Sequence, residues 1–298
     1  MNQSLLNNRT SPANLIASPV DRSLGKILMD SGKLTPEATE RIVEFQKERG
    51  LRFGEAALKL QLVTKRDLQY ALSDQFDYDY LPGGEGEVSN ELVAAYEPFS
   101  AQVEALRTLR SQLILRKLGS HHKTLVILSP EKGEGRSYLA ANLAVVFSQL
   151  GENTLLIDAD LRTPRQHSIF NMDNRTGLSS ILGGRAGWET IQNVPSFANL
   201  SLLCAGATPP NPSELLSRTD FSRLLQGLAD RYDIIIIDTP AGETNADAQI
   251  IAAQAGTART IALMMIRKDH TRLRKAKKFV NNLQGTNVEI VGTVLNQF

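Results

Sequence analysis

With 298 residues, the chain is long enough for one sizeable domain and a second, smaller one. Hydrophobic residues make up 42% and charged residues 22%, the balance of a chain that buries a core. The formal net charge of +1 argues against a nucleic-acid partner, because proteins dedicated to nucleic acid carry an excess of basic residues. Cys204 is the single cysteine, which fits a reducing compartment, and no apolar run reaches the roughly 18 residues needed to span a bilayer. We therefore expect a cytoplasmic protein.

The N-terminal quarter contains an internal repeat. Residues 1–19 are rich in Asn, Ser and Pro, which predicts a flexible tail. Two similar segments follow, 23–46 and 52–75, and each predicts a short helix, a turn and a second helix. We expect them to bury their apolar faces against each other in an all-helical tandem-repeat domain over residues 20–82.

Two helix starts support this interpretation. Thr35 is a natural N-cap, with Pro36 at the first helical position. Thr64 and Asp67 resemble a capping box in which Asp replaces the usual Glu.

The composition and the hydrophobic pattern of the sequence change after the repeat. Residues 83–99 are predicted to be a linker, because they open with glycines and acidic residues. A helix is expected from about residue 100 to 117. Short apolar runs then alternate with amphipathic segments, which predicts an α/β domain over residues 100–298 with a doubly wound parallel sheet. The predicted strands are 124–128, 154–158, 200–205, 234–238, 260–266 and 288–295.

The first of these strands leads into a glycine-rich loop and a helix, which is the context that a P-loop requires. Gly133 and Gly135 allow a tight turn in which backbone N–H groups converge on an anion. Ser137 occupies the position of the hydroxyl that ligates Mg²⁺, at a helix N-terminus that favours phosphate. Arg136 stands where lysine is expected and presents a planar fork instead of a compact ammonium. We expect ATP and Mg²⁺ to bind here.

Three carboxylates end strands of the same predicted sheet. Asp158 and Asp160 follow one strand, and Asp238 ends another. Ligands bind outside the carboxyl ends of the strands in open sheets of this kind. Any one of these residues alone could cap a helix, but together with the glycine-rich loop they predict a Mg²⁺–nucleotide site.

With these motifs in place, the chain resembles the bacterial tyrosine kinases of capsule and exopolysaccharide synthesis. The resemblance rests on GEGRS, DADLR, DTP and AGATPPNPSELLSR (205–218), and it covers about residues 100–298. Glu104, Arg107 and Arg110 match the E-x-x-R-x-x-R oligomerisation motif of that family. Their spacing places them near one helix face.

The resemblance implies an ATP-dependent protein-tyrosine kinase that phosphorylates itself and regulates exopolysaccharide biosynthesis, export and chain length. It implies Asp160 as the base that accepts the proton of the attacking hydroxyl, with Arg136 and Asp158 as further catalytic residues. The metal ligands would be Ser137, Asp158 and Asp238. The nucleotide-binding residues would be Gly133, Glu134, Gly135, Arg136, Ser137, Tyr138 and, on the adenine side, Asn296.

Two departures refine the resemblance. The family usually ends in a tyrosine cluster, whereas the last tyrosine here is Tyr232, and Arg136 replaces the loop lysine. Both features are similar to the exosortase-associated chain-length kinases. This implies a homo-oligomer held at the inner face of the cell membrane by a membrane-embedded polysaccharide chain-length determinant. A further hypothesis makes Tyr78 or Tyr80 the autophosphorylation site; alternatively, both pack the end of the helical domain.

The twin repeat resembles the N-terminal domain of type II secretion and pilus ATPases, one subgroup of which binds cyclic di-GMP. The resemblance implies a set of ligand-binding residues: Arg22, Gly25, Gln46, Arg52, Gly54 and Gln75. The first copy has Ser23 where arginine is expected, and Gln61 replaces a glycine in the second. The competing interpretation is a protein-docking module without a ligand.

Two other functions stay open at this stage. One is a ParA/MinD-like ATPase switch, although that class has a lysine where this sequence has Glu131. The other is a catalytically weak nucleotide-binding scaffold of the export complex, which Arg136 would favour.

Overall fold

The chain folds into two compact units, Met1–Tyr78 and Asp79–Phe298. The computed structural model describes residues 23–75, 80–81, 88–118, 122–243, 245–256 and 260–297. The predicted tail 1–19, together with Arg22 and Tyr78, lies outside the described residues. None of the described helices is both long and apolar enough to cross a membrane.

The first unit is helical, as predicted. Its helices are α1 (Leu24–Asp30), α2 (Pro36–Arg49), α3 (Phe53–Lys59) and α4 (Lys65–Gln75). Thr35 caps α2 by accepting the N–H of Ala38 at 3.2 Å. The Asp-containing capping box is also present: the Thr64 N–H donates to Asp67 Oδ2 at 2.9 Å, and the Asp67 N–H donates to Thr64 Oγ1 at 3.1 Å.

The repeat glycines of this unit lie at helix contacts. A Cβ atom at Gly54 would meet Leu68 Cδ1 at 2.9 Å, and one at Gly25 would meet Phe53 Cζ at 3.2 Å. Both glycines therefore allow close packing around the buried side chains of Leu28 and other core residues.

The second unit contains a seven-stranded sheet in the order β3-β4-β2-β5-β1-β6-β7. All pairs are parallel except β3–β4, which is antiparallel. The strands are β1 (Thr124–Leu128), β2 (Thr154–Asp158), β3 (Gln192–Asn193), β4 (Leu200–Leu203), β5 (Ile234–Asp238), β6 (Thr260–Arg267) and β7 (Glu289–Asn296). The predicted α/β fold class is confirmed, and each predicted strand is present.

Helices cover both faces of the sheet. Alternate residues of β1 point to opposite sides, so that Leu125 and Ile127 join one core and Val126 and Leu128 the other. The helices are α5 (Val93–Tyr96), α6 (Ala101–Arg116), α7 (Arg136–Ser148), α8 (Gln166–Ile169), α9 (Leu178–Leu182), α10 (Pro212–Leu216), α11 (Thr219–Ala229), α12 (Asp247–Ala255) and α13 (Leu273–Asn282).

The described part of the predicted linker, residues 88–99, packs on the second unit instead of connecting two domains loosely. Leu92 is fully buried, the N–H of Ser89 donates to Ile169 O at 2.8 Å, and the N–H of Ala94 donates to the buried Asn142 side chain at 3.0 Å. The linker prediction is therefore wrong for residues 88–99. The prediction was based on the glycine and glutamate residues at the start of the predicted linker. The apolar residues that follow, such as Leu92, are buried in the second unit.

Candidate nucleotide site

The glycine-rich loop joins β1 to α7 and has the backbone conformation that its glycines predict. Gly133 and Gly135 have φ values of +79° and +95°, a region that residues with a Cβ atom rarely adopt. Gly135 is the N-cap of α7, which begins at Arg136. The positive end of a long buried helix therefore meets the loop where an anion is expected.

Arg136 is buried and folds back onto its own loop. Its Nε donates to Thr239 O at 2.9 Å, and one terminal nitrogen donates to Glu131 O at 2.9 Å and to the Ser129 hydroxyl. The guanidinium thus ties the loop to the end of β5. Its charge remains next to the phosphate position, but its hydrogen bonds go to protein oxygens.

Two glutamates anchor the loop to the segment around α13. Glu134 is buried and accepts the N–H of Glu131 at 2.8 Å and the hydroxyl of Thr271. The Glu131 carboxylate accepts Lys275 Nζ and the N–H of Arg272, and the ion pair with Lys275 lowers the pKa of Glu131. The side chain of Glu134, predicted to bind nucleotide, is therefore used to shape the loop.

Asp158 and Asp238 are register partners at the ends of β2 and β5, and both are fully buried. Burial raises the pKa of Asp158, and the neighbouring Asp238 carboxylate raises it further. Burial also raises the pKa of Asp238, although the positive charge of Arg136 opposes this effect. Two adjacent buried carboxyls are costly as anions, so this part of the site favours a cation beside them.

The chain's own residues fit Mg²⁺ at this position. Gln166 donates through Nε2 to Ser137 O at 3.1 Å and to Asp238 Oδ2 at 2.8 Å, which holds the serine next to the acid. The buried Oδ1 atom of Asp238 has no hydrogen-bond partner among the described residues. A hydroxyl and an orphaned carboxylate oxygen are hard ligands of the kind that Mg²⁺ prefers.

The protein oxygens do not enclose a metal by themselves. The described ranges contain no group of three or more Asp, Glu, His or Cys side chains that could hold a metal ion. A magnesium ion here would take its remaining ligands from water and phosphate, as Mg²⁺ commonly does. Asp158 itself accepts the N–H groups of Arg165 at 3.0 Å and Gln166 at 2.9 Å, which fixes the loop after β2.

Asp160 lies nearly buried on that loop. Its Oδ1 accepts the N–H groups of Thr163 at 2.9 Å and Arg162 at 3.2 Å, and its Oδ2 accepts the Thr163 hydroxyl at 2.9 Å. These contacts hold the carboxylate in one orientation, and its oxygens retain further lone pairs for a substrate proton.

A cavity of 470 Å³ brings the loop and Asp160 together. Five of its lining residues belong to the predicted site: Gly133, Gly135, Arg136, Ser137 and Asp160. The others had not been predicted: Lys132, Arg162, Thr163, Pro164, Arg165, Pro240, Ala241 and Asn245. The volume lies in the range of small-molecule sites.

Three residues assigned to the nucleotide, Glu134, Tyr138 and Asn296, do not line this cavity. Tyr138 accepts Gln102 Nε2 at 2.7 Å from α6, and burial raises the pKa of its hydroxyl to about 12. Asn296 donates to Glu134 O at 3.1 Å. Tyr138 therefore packs on α6, because it follows Ser137 by one residue and projects from another side of α7.

The arginines of the predicted oligomerisation motif make contacts within the chain. Arg107 donates to Pro98 O at 2.8 Å, to the Tyr80 hydroxyl, and to Glu104 at 3.5 Å. Arg110 donates to Val146 O. Glu104 is the exposed member of the three.

In the first unit, the residues implied for cyclic di-GMP lie in different environments. Arg52 is exposed, and Gln46 and Gln75 are partly exposed. Gly25 and Gly54 have the packing role described above, which explains them without a ligand.

The site also uses residues that motif patterns did not single out. Gln166 joins the loop to Asp238, but a lone glutamine carries no motif signal. Arg162 and Arg165 belong to DADLRTPR, so their charge beside the acids was the available signal.

Comparison with known proteins places this site in a family. The family described as ParA: NUBPL iron-transfer P-loop NTPase matches residues 120–297. The chain is 34% identical over 201 residues to the putative tyrosine-protein kinase CapB of Staphylococcus aureus, covering 67% of this chain and 86% of CapB.

Longer proteins share the same region. The tyrosine-protein kinase wzc of Salmonella typhimurium is 32% identical over 207 residues, and the match covers 70% of this chain and 28% of wzc. The kinase domain of Escherichia coli tyrosine kinase ETK superposes with a TM-score of 0.67 at 29% identity, over 73% of this chain and 83% of that domain. The chain therefore belongs to the bacterial tyrosine-kinase family and carries a P-loop NTPase domain of the ParA type.

Proposed function

We propose that this chain is an ATP-dependent protein-tyrosine kinase that phosphorylates itself and regulates exopolysaccharide biosynthesis, export and chain length. One observation carries the proposal: one cavity is lined both by Gly133, Gly135, Arg136 and Ser137 of the loop and by the fixed carboxylate of Asp160. Relatives that share this domain are named tyrosine-protein kinases.

The chain's residues have distinct roles in this reaction. Backbone N–H groups of the loop bind the phosphates, and Arg136 offsets their charge. Ser137 and Asp238 would hold Mg²⁺, with Asp158 beside them; the bound ion would neutralise charge on the phosphates. The substrate tyrosine oxygen attacks the γ-phosphorus, the bond to ADP breaks, and the Asp160 carboxylate accepts the phenolic proton.

Incubation with γ-labelled ATP tests this function. We expect labelled phosphotyrosine from the unaltered chain and at least about a 100-fold lower yield from Asp160→Asn, because the base is lost. Each variant is compared with the unaltered chain for retention of Mg-ADP, which separates a loss of chemistry from a loss of binding. Retention of nucleotide without phosphotyrosine from either protein rejects the kinase.

The same assay discriminates the second candidate, a ParA/MinD-like ATPase switch. The ParA-type domain favours the ATPase. The hydrogen bonds of Arg136 to protein oxygens favour weak phosphoryl transfer, and therefore the third candidate, a catalytically weak scaffold. Release of labelled phosphate without phosphotyrosine supports the ATPase. Nucleotide binding without either product supports a scaffold of the export complex.

We further propose that the chain is a chain-length kinase of the exosortase-associated type, and that it forms a homo-oligomer at the inner face of the cell membrane. A membrane-embedded polysaccharide chain-length determinant would hold it there. Co-sedimentation with vesicles that contain this determinant checks the proposal. Equal sedimentation with empty vesicles contradicts it.

We also propose cyclic di-GMP as a ligand of the first unit, through Arg52 together with Gln46 and Gln75. Calorimetric titration of the full chain is expected to give heat that Arg52→Ala abolishes, because the guanidinium would meet a guanine edge or a phosphate. The absence of heat at high micromolar ligand favours a protein-docking module instead.

A further inference from the structure

A three-residue hydrogen-bonded cluster lies beside the candidate site and joins segments far apart in the sequence. Arg162 follows β2, Ser213 is in α10, and Asp247 begins α12. Arg162 Nε donates to Asp247 Oδ2 at 2.6 Å, and a terminal nitrogen donates to Ser213 Oγ at 3.0 Å. The Ser213 hydroxyl in turn donates to Asp247 Oδ1 at 2.5 Å. The three side chains thus form a closed ring.

The ring is anchored at its buried member, Asp247. The Asp247 side chain is only 1% exposed, so its carboxylate relies on the hydrogen bonds that Arg162 and Ser213 provide. Arginine is planar, and contacts at two of its nitrogens fix both the position and the rotation of the guanidinium. Ser213 acts as donor and acceptor at once, which a hydroxyl can do and an alanine cannot.

Arg162 also lines the cavity, with one terminal nitrogen that takes no part in the ring. Arg162 lines the 470 Å³ cavity together with Asp160, while Arg136 and Ser137 line it from the glycine-rich loop. Its second terminal nitrogen makes no hydrogen bond with the residues that the structure describes, and 39% of its side chain is exposed. The guanidinium therefore belongs to the wall that carries the candidate base.

We propose that Arg162 stabilises the negative charge on the phosphoryl group during transfer, and that Ser213 and Asp247 are its positioning residues. This inference rests on the proposed kinase function. As the tyrosine O–P bond forms and the bond to ADP breaks, the proton goes to Asp160. Arg162 donates to the non-bridging oxygens of the phosphoryl group as it is transferred. Preorganised donors of this kind act mainly on the transition state.

The proposal gives a physical role to the PPNPSELL segment. Pro212 begins α10 at its first position, and Ser213 is the next residue, so its hydroxyl is presented to Asp247 and Arg162 from a fixed helix start. The segment thus acts on the reaction through Arg162.

Ser213→Ala is the central test, since it removes only the hydroxyl. We expect kcat for phosphotyrosine formation to fall about 5- to 20-fold, because a misplaced donor loses part of the 100-fold or larger contribution of such groups. Affinity for Mg-ADP, measured by calorimetry, should change less than about 3-fold. The matched control is Ser217→Ala, whose hydroxyl donates to Ser213 O at 2.7 Å and lies outside the ring. Equal losses in both variants overturn the proposal.

A double-mutant cycle adds a readout that a general packing role would not move. Arg162→Lys keeps the charge but loses the planar fork whose separate nitrogens reach Asp247 and Ser213. If Ser213 acts through Arg162, Ser213→Ala costs little further activity in the Arg162→Lys background. Additive losses overturn the positioning role. Asp247→Asn, which keeps the shape of the side chain, should behave like Arg162→Lys and be equally non-additive with it.

A third measurement separates this proposal from the kinase function itself. ADP with aluminium fluoride mimics a phosphoryl group in transfer, and its binding needs no tyrosine substrate. Ser213→Ala should weaken it at least about 5-fold relative to ADP alone, even if no phosphotyrosine forms. Equal effects on both ligands overturn the role of the ring. Absence of phosphotyrosine with the unaltered chain rejects only the kinase.

Discussion

Gly32 and Gln61 occupy equivalent turns of the two N-terminal repeats, and both have a left-handed backbone, with φ of +69° and +55°. Each turn ends the first helix of its repeat and leads into the second. Glycine adopts this conformation without a steric penalty, whereas glutamine does not. The second repeat therefore keeps the turn of the first at an energetic cost.

Gln61→Gly is expected to stabilise the first unit by about 0.5–1 kcal/mol, since relief of the left-handed strain exceeds the added entropy of the unfolded chain. Amide hydrogen exchange of α3 and α4 in the full chain measures the change. Lys26→Gly, in the exposed interior of α1, is the control and should destabilise the unit by about 1 kcal/mol. Faster exchange in Gln61→Gly would contradict the expectation.

Asp67 makes the stability of the first unit depend on pH. Hydrogen bonds from Thr64 lower its pKa below the ordinary value of 3.8. A lowered folded-state pKa contributes stability that is present above the unfolded pKa and is lost as pH falls through the folded one. Asp67→Ala should cost about 0.5–1 kcal/mol at neutral pH, the low end for a cap because solvent screens this side chain.

The measurement is hydrogen exchange of α4 from pH 5 down to the acid limit of the fold. The difference between Asp67→Ala and the unaltered chain should begin to shrink as the pH falls below about 4 and should be smallest below the folded-state pKa of Asp67. A constant difference throughout this range would show that the carboxylate charge has no part in the cap.

Arg136→Lys tests what the arginine contributes to the loop. A single ammonium cannot reach Thr239 O, Glu131 O and the Ser129 hydroxyl together, so buried acceptors lose partners. We expect the nucleotide-free protein to lose about 1–3 kcal/mol of stability. Mg-ATP should stabilise the variant more than the unaltered chain, because the lysine charge is free to meet phosphate.

Thermal unfolding with and without Mg-ATP gives both quantities. Arg136→Met, which lacks the charge, is the control and should lose both stability and nucleotide response. A nucleotide response of Arg136→Lys below that of the unaltered chain would mean that the guanidinium itself binds phosphate.

Glu104 offers the cleanest test of the oligomerisation motif. Its side chain is 70% exposed and meets Arg107 at 3.5 Å, a contact that contributes little to folding. Glu104→Arg is therefore expected to leave the melting temperature unchanged and to reduce self-association at least about 5-fold by charge repulsion. Sedimentation velocity measures it.

Glu97→Arg makes the same charge change at an exposed position outside the motif and should leave association unchanged. Equal association of both variants and the unaltered chain would remove Glu104 from the interface.

Much of the fold was accessible from sequence because its signals are local. The apolar runs of β1 and β5 are buried along their length. Thr35 caps α2 and Thr64 caps α4. The two-residue strand β3 was missed, since it has no periodic pattern of its own and depends on pairing with β4.

The site was predictable only in part, for the same reason. Gly133, Gly135 and Asp160 lie in motifs and line the cavity. The partners that fix them come from distant segments: Gln166 reaches Asp238, Thr271 reaches Glu134, and Asp247 reaches Arg162. Such pairings depend on topology, which no local pattern encodes.

The two edge strands of the sheet, β3 and β7, differ in length and so in how readily each could pair with a further strand. On one side, Gln192 and Asn193 close the border with an antiparallel pair too brief to template another chain. On the other, β7 is the edge strand and runs for 8 residues, with half-buried or exposed side chains along its length. Among the described strands, β7 is therefore the edge that offers the longer row of backbone groups to an additional strand.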